Sequence, residues 1–175
     1  PSPVRHESRL LVLNRDTGQR EHHRFDAIAD LVGERDLLVF NDSRVLPARL
    51  RTRKAETGGR VELLFVEPAG QSDRWRALAR PAKGLAPGLA LALEAAPDVV
   101  LRVVDAPGEG FVTVQTPQDG EQLCRDYGEM PLPPYIRRVA DELDRERYQT
   151  VYARKDRAGS VAAPTAGLHF SEEVF

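Results

Sequence analysis

One cysteine, Cys124, stands in a chain of 175 residues. No intrachain disulfide can form, and a multi-cysteine zinc site is excluded. That usage fits a reducing compartment, and a cytoplasmic location is expected. No apolar run approaches the roughly 18 residues of a membrane-spanning helix, and no signal peptide opens the chain. Charge of one sign is missing as well. The 25 Lys and Arg nearly cancel 27 Asp and Glu, for a formal net charge of -2. Global charge therefore does not point to nucleic acid, although a local basic face remains open. There is no Walker-type phosphate loop and no G-x-G-x-x-G fingerprint. G-x-S-x-G is also absent, which leaves a hydrolase nucleophile elbow unsupported. The pair His22-His23 lacks metal-ligand spacing and is expected at the surface; no metal site is predicted. No internal repeat or low-complexity tract occurs. Hydrophobic residues make up 41% of the chain, a globular share, and the length suits one ordinary domain or two small ones.

The ends carry their own signals. The chain opens on Pro1-Ser2-Pro3 without an initiator Met. It stops at Ser171-Glu172-Glu173-Val174-Phe175, where Ser and two acids resemble an N-cap and the first turn of a helix. One turn cannot repay helix nucleation, so the chain is read as cut at both ends.

Between them, residues 8–13 read as a buried strand, 19–25 as a return strand, and 25–32 as a helix with Phe25, Ile28, Ala29 and Val32 on one face. Residues 36–40 (Asp-Leu-Leu-Val-Phe) form an apolar run typical of a strand covered on both faces. From Pro47 to about Pro117 helical periodicity disappears. Six short strands are predicted there, at 49–54, 60–67, 74–80, 89–94, 99–104 and 111–115. Most are separated by Gly or Pro, as expected of a small barrel or sandwich. Helices are predicted at 119–127 and around 141–152. The organisation expected is an incomplete α/β domain (1–46 and 119–175) with an inserted all-β module (47–118), a six-stranded, Greek-key-like barrel.

Three stretches could carry chemistry. In the first, Phe40-Asn41-Asp42-Ser43-Arg44-Val45-Leu46-Pro47-Ala48-Arg49, the polar Asn41, Asp42, Ser43 and Arg44 follow the apolar run at once, where open α/β sheets place ligands. Together they offer an amide, a carboxylate, a hydroxyl and a fork of donors; a plain turn is the alternative. In the second, Gly128-Glu129-Met130-Pro131-Leu132-Pro133-Pro134-Tyr135-Ile136-Arg137-Arg138, the prolines stiffen the chain and could present Glu129 or Tyr135. A rigid linker or a Pro-rich ligand segment would read the same way. The third joins Tyr148-Gln149-Thr150-Val151-Tyr152 to Gly159-Ser160-Val161-Ala162-Ala163-Pro164-Thr165-Ala166-Gly167-Leu168-His169-Phe170. Small residues allow close approach to a ligand, Thr165 adds a hydroxyl, and His169 is a group of the kind that titrates near neutrality. Ala-rich packing and a hydrogen-bonded structural histidine are the bland alternatives.

Taken in order, these stretches resemble the S-adenosylmethionine:tRNA ribosyltransferase-isomerases of queuosine biosynthesis. Gly59-Arg60-Val61-Glu62-Leu63-Leu64 fits as well, and the similarity runs from about Arg5 to Phe175. Members of that family are about twice as long. The resemblance implies an α/β domain with an inserted six-stranded barrel. It also implies transfer and isomerisation of the ribosyl part of S-adenosylmethionine onto 7-aminomethyl-7-deazaguanine at the tRNA wobble position, giving epoxyqueuosine with loss of adenine and methionine. S-adenosylmethionine is then a consumed substrate and no true cofactor is implied. The implied partner is a tRNA with a GUN-type anticodon, and a monomer is expected. Under this resemblance His169, Glu129 and Tyr135 are the catalytic candidates. Asn41, Asp42, Ser43, Arg44, Pro164, Thr165, Ala166 and Gly167 become candidates for the substrate pocket. Arg49, Arg51 and Arg53 share one face of a predicted strand, with Arg74, Arg76 and Arg80 in matching parity nearby, and could meet tRNA phosphates. A solvated barrel surface is the alternative there. A noncatalytic RNA-binding module is the rival function.

Overall fold

The computed structural model describes residues 4–154, 156 and 158–175; the opening Pro1-Ser2-Pro3 lies outside them. Its centre is the six-stranded antiparallel barrel. The strands are β4 (Arg49–Lys54), β5 (Arg60–Ala69), β6 (Gln71–Arg80), β7 (Ala90–Leu93), β8 (Val100–Gly108) and β9 (Phe111–Gln115), closed in the order β4-β5-β6-β9-β8-β7. Two three-stranded meanders thus join edge to edge, and β7 returns to pair with β4, Thr52 opposite Leu93. Period-two alternation in the sequence becomes inside and outside. Leu50 and Thr52, Val61, Leu63 and Phe65, Trp75, Ala77 and Ala79, Leu91 and Leu93, Leu101 and Val103, and Val112 and Val114 all point inward and are buried. Thr52 is tolerated there because its hydroxyl donates to the Val61 carbonyl at 2.7 Å. Leu85 joins this core from the β6–β7 loop.

Helix α2 (Gly120–Tyr127) adds Leu123 and Cys124 to the barrel core. It starts where Asp119 caps it, accepting from the Gln122 N–H at 3.0 Å. Gly120 lies against Trp75, and a Cβ there would overlap the indole. The predicted helix at 141–152 is shorter, α3 (Glu142–Arg147), opened by a reciprocal capping box between Asp141 and Asp144.

Outside the barrel several expectations change. β1 (Arg9–Leu13) and β2 (Arg20–Arg24) form a separate two-stranded hairpin. β1 is not the buried strand expected from its apolar run: its residues alternate between exposed and half-buried, and Leu11 and Leu13 are exposed. The helix expected at 25–32 shrinks to a 3-10 turn (Phe25–Ala27) and one turn of α1 (Ile28–Leu31). Residues 36–40 do not form a strand. Among the described residues no strand lies beside them to accept their backbone groups, and Leu37 and Val39 are each 86% exposed. After Ser171 the chain makes a turn rather than a helix, and the Ser171 hydroxyl meets His6 Nδ1 at 2.9 Å. No helix of the described residues is long and apolar enough to cross a membrane.

Candidate functional site

The three stretches singled out in the sequence fold into one junction beside the barrel. β3 (Arg44–Val45) pairs in parallel with β10 (Ala158–Ser160), and the Leu46 N–H donates to the Ser160 carbonyl at 2.9 Å. Among the described residues, no strand lies on the other side of Val45. The buried amide of Gln149 stands in for one: its Oε1 accepts from the Val45 N–H at 2.9 Å and its Nε2 donates to the Val45 carbonyl at 2.8 Å. Val45, Met130, Leu132 and Ala163 share a small core, with Ile136, Tyr148 and Leu168 packed against it. Each stretch contributes to that core. Two glycines permit the approach. A Cβ at Gly128 would overlap the Pro47 carbonyl oxygen, and one at Gly167 would overlap the Tyr152 hydroxyl.

In the first stretch, Asn41 Oδ1 accepts from the Ser43 N–H at 3.0 Å and from its hydroxyl at 2.6 Å, the closure of an Asx turn. The Asp42 carbonyl accepts from the Arg154 N–H at 2.8 Å. Arg44 is half-buried, and among the described residues no hydrogen bond or ion pair engages its guanidinium. It lines an open cavity of about 500 Å³ with Val45, Leu46, Pro47, Arg125, Met130, Arg145 and Gln149.

The second stretch is tied to the barrel. Glu129 makes an antiparallel bridge with Arg49 through both backbone groups, at 2.8 and 3.2 Å. Its carboxylate accepts from Arg51 Nε at 2.7 Å and Nη2 at 3.0 Å, a bidentate pair whose hydrogen bonds push the Arg51 guanidinium up from its ordinary value. Tyr135 is 72% exposed. Among the described residues, no hydrogen bond or ring contact links Glu129 or Tyr135 to His169. The β4 arginines are charge-balanced: Arg53 Nε stands 2.9 Å from Glu94, and Arg49 lies 3.7 Å from Glu62 while donating to the Leu132 carbonyl at 3.2 Å. Across the barrel Arg76 meets Glu67 at 3.1 Å and covers the Phe111 ring at 4.1 Å.

In the third stretch, Pro164 leads into a 3-10 turn (Thr165–His169) in which Thr165 and Ala166 are exposed and Gly167 is buried. His169 ends that turn. Its Nδ1 lies 2.8 Å from the Ser8 hydroxyl, and its ring packs on Phe25 at 5.3 Å between centroids. Phe170 continues the contact at 4.9 Å, edge-on. Phe40, Tyr152, Phe170 and Phe175 complete an aromatic group, with Phe40 4.9 Å from Tyr152 and 5.1 Å from Phe170. Burial pushes the Tyr148 and Tyr152 phenols up, so both keep their protons at neutral pH.

Four residues at this junction escaped the candidate site set. Gln149 sits inside the Tyr-Gln-Thr-Val-Tyr text but carries no sign of being a strand surrogate. Arg125 and Arg145 look like the solvated faces of polar helices, and nothing near Ser8 hints at its contact 161 positions away. Among the described residues no group of three or more His, Cys, Asp or Glu could hold a metal ion.

A family model described as "Queuosine biosynthesis protein" matches residues 1–175. The S-adenosylmethionine:tRNA ribosyltransferase-isomerase of Anaeromyxobacter sp. (strain Fw109-5) is 48% identical over 99% of this chain and 50% of its own length. That of Pelobacter propionicus is 46% identical over 99% and 50%. A crystal structure of the S-adenosylmethionine tRNA ribosyltransferase from Thermotoga maritima is similar at a TM-score of 0.41 and 28% identity, over 99% of this chain and 47% of that one. The chain spans about half the length of the curated relatives it matches. With the match covering the whole chain, barrel and junction alike, it belongs to the queuosine biosynthesis protein family.

Proposed function

We propose that this chain supplies part of the catalytic body of an S-adenosylmethionine:tRNA ribosyltransferase-isomerase. The enzyme consumes S-adenosylmethionine, moves its ribosyl group onto 7-aminomethyl-7-deazaguanine in the wobble position of a tRNA with a GUN-type anticodon, and releases adenine and methionine. The product is epoxyqueuosine. The observation that carries the reading is the assembly of all three stretches around one small core, in which Val45 and Leu168 are the chain neighbours of Arg44 and His169.

The chemistry asks for a base, a proton donor and an anchor. The sulfonium of S-adenosylmethionine acidifies the neighbouring C5′ protons, and a base within hydrogen-bond reach begins the rearrangement. His169 is suited to that step. With Nδ1 engaged by Ser8, the ring is oriented and Nε2 is the nitrogen left to face substrate. Departing adenine takes up a proton, and the half-buried phenol of Tyr152, which keeps its proton at neutral pH, has one to give. Glu129 is a weaker base candidate, since removing it from Arg51 would break a bidentate pair. The wobble base is reachable because bases of an anticodon loop can splay outward. The enzyme acts as a monomer in the cytoplasm. A noncatalytic RNA-binding barrel is not favoured, because the β4 arginines already face carboxylates.

The 175-residue chain alone is expected to be inactive. Joined to the half of the Anaeromyxobacter relative that it does not match, it is expected to release adenine from labelled S-adenosylmethionine and to carry the ribosyl label into tRNA. Adenine release without label in RNA would refute the transfer. His169→Ala in the same fusion should lower turnover by about 10²-fold or more, the low end of general-base catalysis. Near-normal turnover would leave His169 a structural residue.

A further inference from the structure

The cavity beside β3 is a concave place where arginines from three separate elements come together. Arg44 comes from β3, Arg125 from α2 and Arg145 from α3, and all three line the same space. Arg125 is paired with Glu121 at 2.6 Å, one helical turn away. Arg145 donates to the Gly128 carbonyl at 2.9 Å and stands 3.8 Å from Glu142, a carboxylate that is almost wholly exposed and free to swing away. Arg44 has neither a carboxylate nor a carbonyl among the described residues. One guanidinium is left over in a concave site, and two others border it.

The lining also says what kind of anion. Its apolar lining is Val45, Leu46, Pro47 and Met130, all buried; Val45 and Met130 belong to the small core, and Gln149 clamps Val45. No aromatic ring lines the cavity, so there is no platform on which a base or adenine could stack. Guanidinium forks converging from separate elements suit the tetrahedral oxygens of a phosphate. On β4, by comparison, each arginine stands within 4 Å of a carboxylate: Arg49 3.7 Å from Glu62, Arg51 paired with Glu129, and Arg53 2.9 Å from Glu94.

We propose that the Arg44–Arg125–Arg145 cavity seats a phosphodiester group of an RNA backbone. The proposal rests on the reading of tRNA as substrate and adds where on this chain its backbone is held. Arg44 makes the contact, and Arg125 and Arg145 shape the field around it.

The test uses this chain with a fluorescein-labelled anticodon stem-loop RNA, titrated across a series of salt concentrations. Arg44→Gln should weaken binding several-fold at low salt. It should also flatten the dependence of log K on log salt by about 0.7–0.9, the share of one phosphate contact. Arg44→Lys should keep most of the slope while losing affinity, because the charge remains and the fork does not. Arg35→Gln removes the same charge from an exposed position outside the site and serves as the control; near-UV circular dichroism verifies that each variant is folded. Equal slopes for Arg44→Gln and Arg35→Gln would overturn the site while leaving tRNA as the substrate. Failure of the parent chain to bind the RNA at all would remove the site and count against the tRNA reading together. Protection of Arg44 from phenylglyoxal by inorganic phosphate, with none from the RNA, would assign the cavity to a small anion and overturn the proposal.

Discussion

The barrel and the junction beside it solve the same problem to different degrees. Every strand of the barrel has two neighbours, so no sheet edge is left open, and its inward side chains, from Leu50 to Val114, are buried almost completely. The junction has two-stranded pieces, a side-chain amide acting as a strand, and a short apolar core of four buried residues. Around it Leu11, Leu13, Leu37, Leu38, Val39 and Phe175 remain exposed. Closure makes the barrel self-sufficient. The junction's order depends instead on single side chains reaching between distant parts of the chain, and the catalytic and substrate-pocket candidates lie there, while the arginine candidates for tRNA lie on the barrel. Stability and function are therefore expected to respond to different substitutions.

The largest effect should come from the barrel core. Phe65 is fully buried and stacks on Trp75, with ring centroids 5.5 Å apart. Phe65→Ala removes that contact and leaves a cavity in a closed wall that cannot collapse, at a cost of about 3–5 kcal/mol. Cys124 reports on it directly. Burial pushes its thiol up to about 12, so in the folded barrel it is protonated and unreactive. Alkylation of Cys124 in rising urea should shift to markedly lower denaturant in Phe65→Ala. An unchanged midpoint would show that the barrel is not the cooperative unit described above.

A smaller and more local effect is expected at Gln149. Gln149→Ala leaves the N–H and the C=O of Val45 without partners in a buried setting, at about 1–3 kcal/mol for each group. Amide exchange at Val45 and Leu46 should quicken, while the Cys124 alkylation midpoint stays close to that of the parent. If both move together, barrel and junction are one unit and the contrast between them fails.

That contrast also explains what the sequence made legible. Barrel strands carry their own inside and outside in alternating residues, so six strands could be placed within a few positions, along with α2. The closing pair β7–β4 is a long-range choice with no local mark. Residues 36–40 misled for the opposite reason. An apolar run states only that cover is wanted, and whether a strand forms depends on neighbours that the run does not contain. At the site, residue types were legible and partners were not. Arg51 looked like a phosphate contact and Glu129 like a base, each sensible alone. The fold brings them together across 78 positions, and each satisfies the other. Arg44, by contrast, has no such partner among the described residues.

The smallest expected effect is one of pH, and it separates the two regions without touching either core. Asp144 is held below the usual aspartate range, first by its hydrogen bond with the Arg138 guanidinium and further by the Asp141 backbone N–H at 2.9 Å. A folded value below the unfolded one means that the unfolded chain binds more protons between the two. The contribution of Asp144 is then complete above the ordinary aspartate value of about 3.9 and is lost as pH falls through the depressed folded value. The barrel interior has no comparable group, since its buried polar residue is the hydrogen-bonded Thr52. Acid should therefore loosen the Pro-rich stretch and α3 first. Limited proteolysis by an acid-active protease should cut between residues 131 and 147 at a pH where Trp75 fluorescence is still native. Asp144→Asn should make that segment susceptible already at neutral pH, as seen with a neutral protease, and remove most of its further response to acid. Simultaneous loss of segment and barrel at a single pH in the parent chain would mean that the Arg138–Asp144 pair does not hold a separate unit.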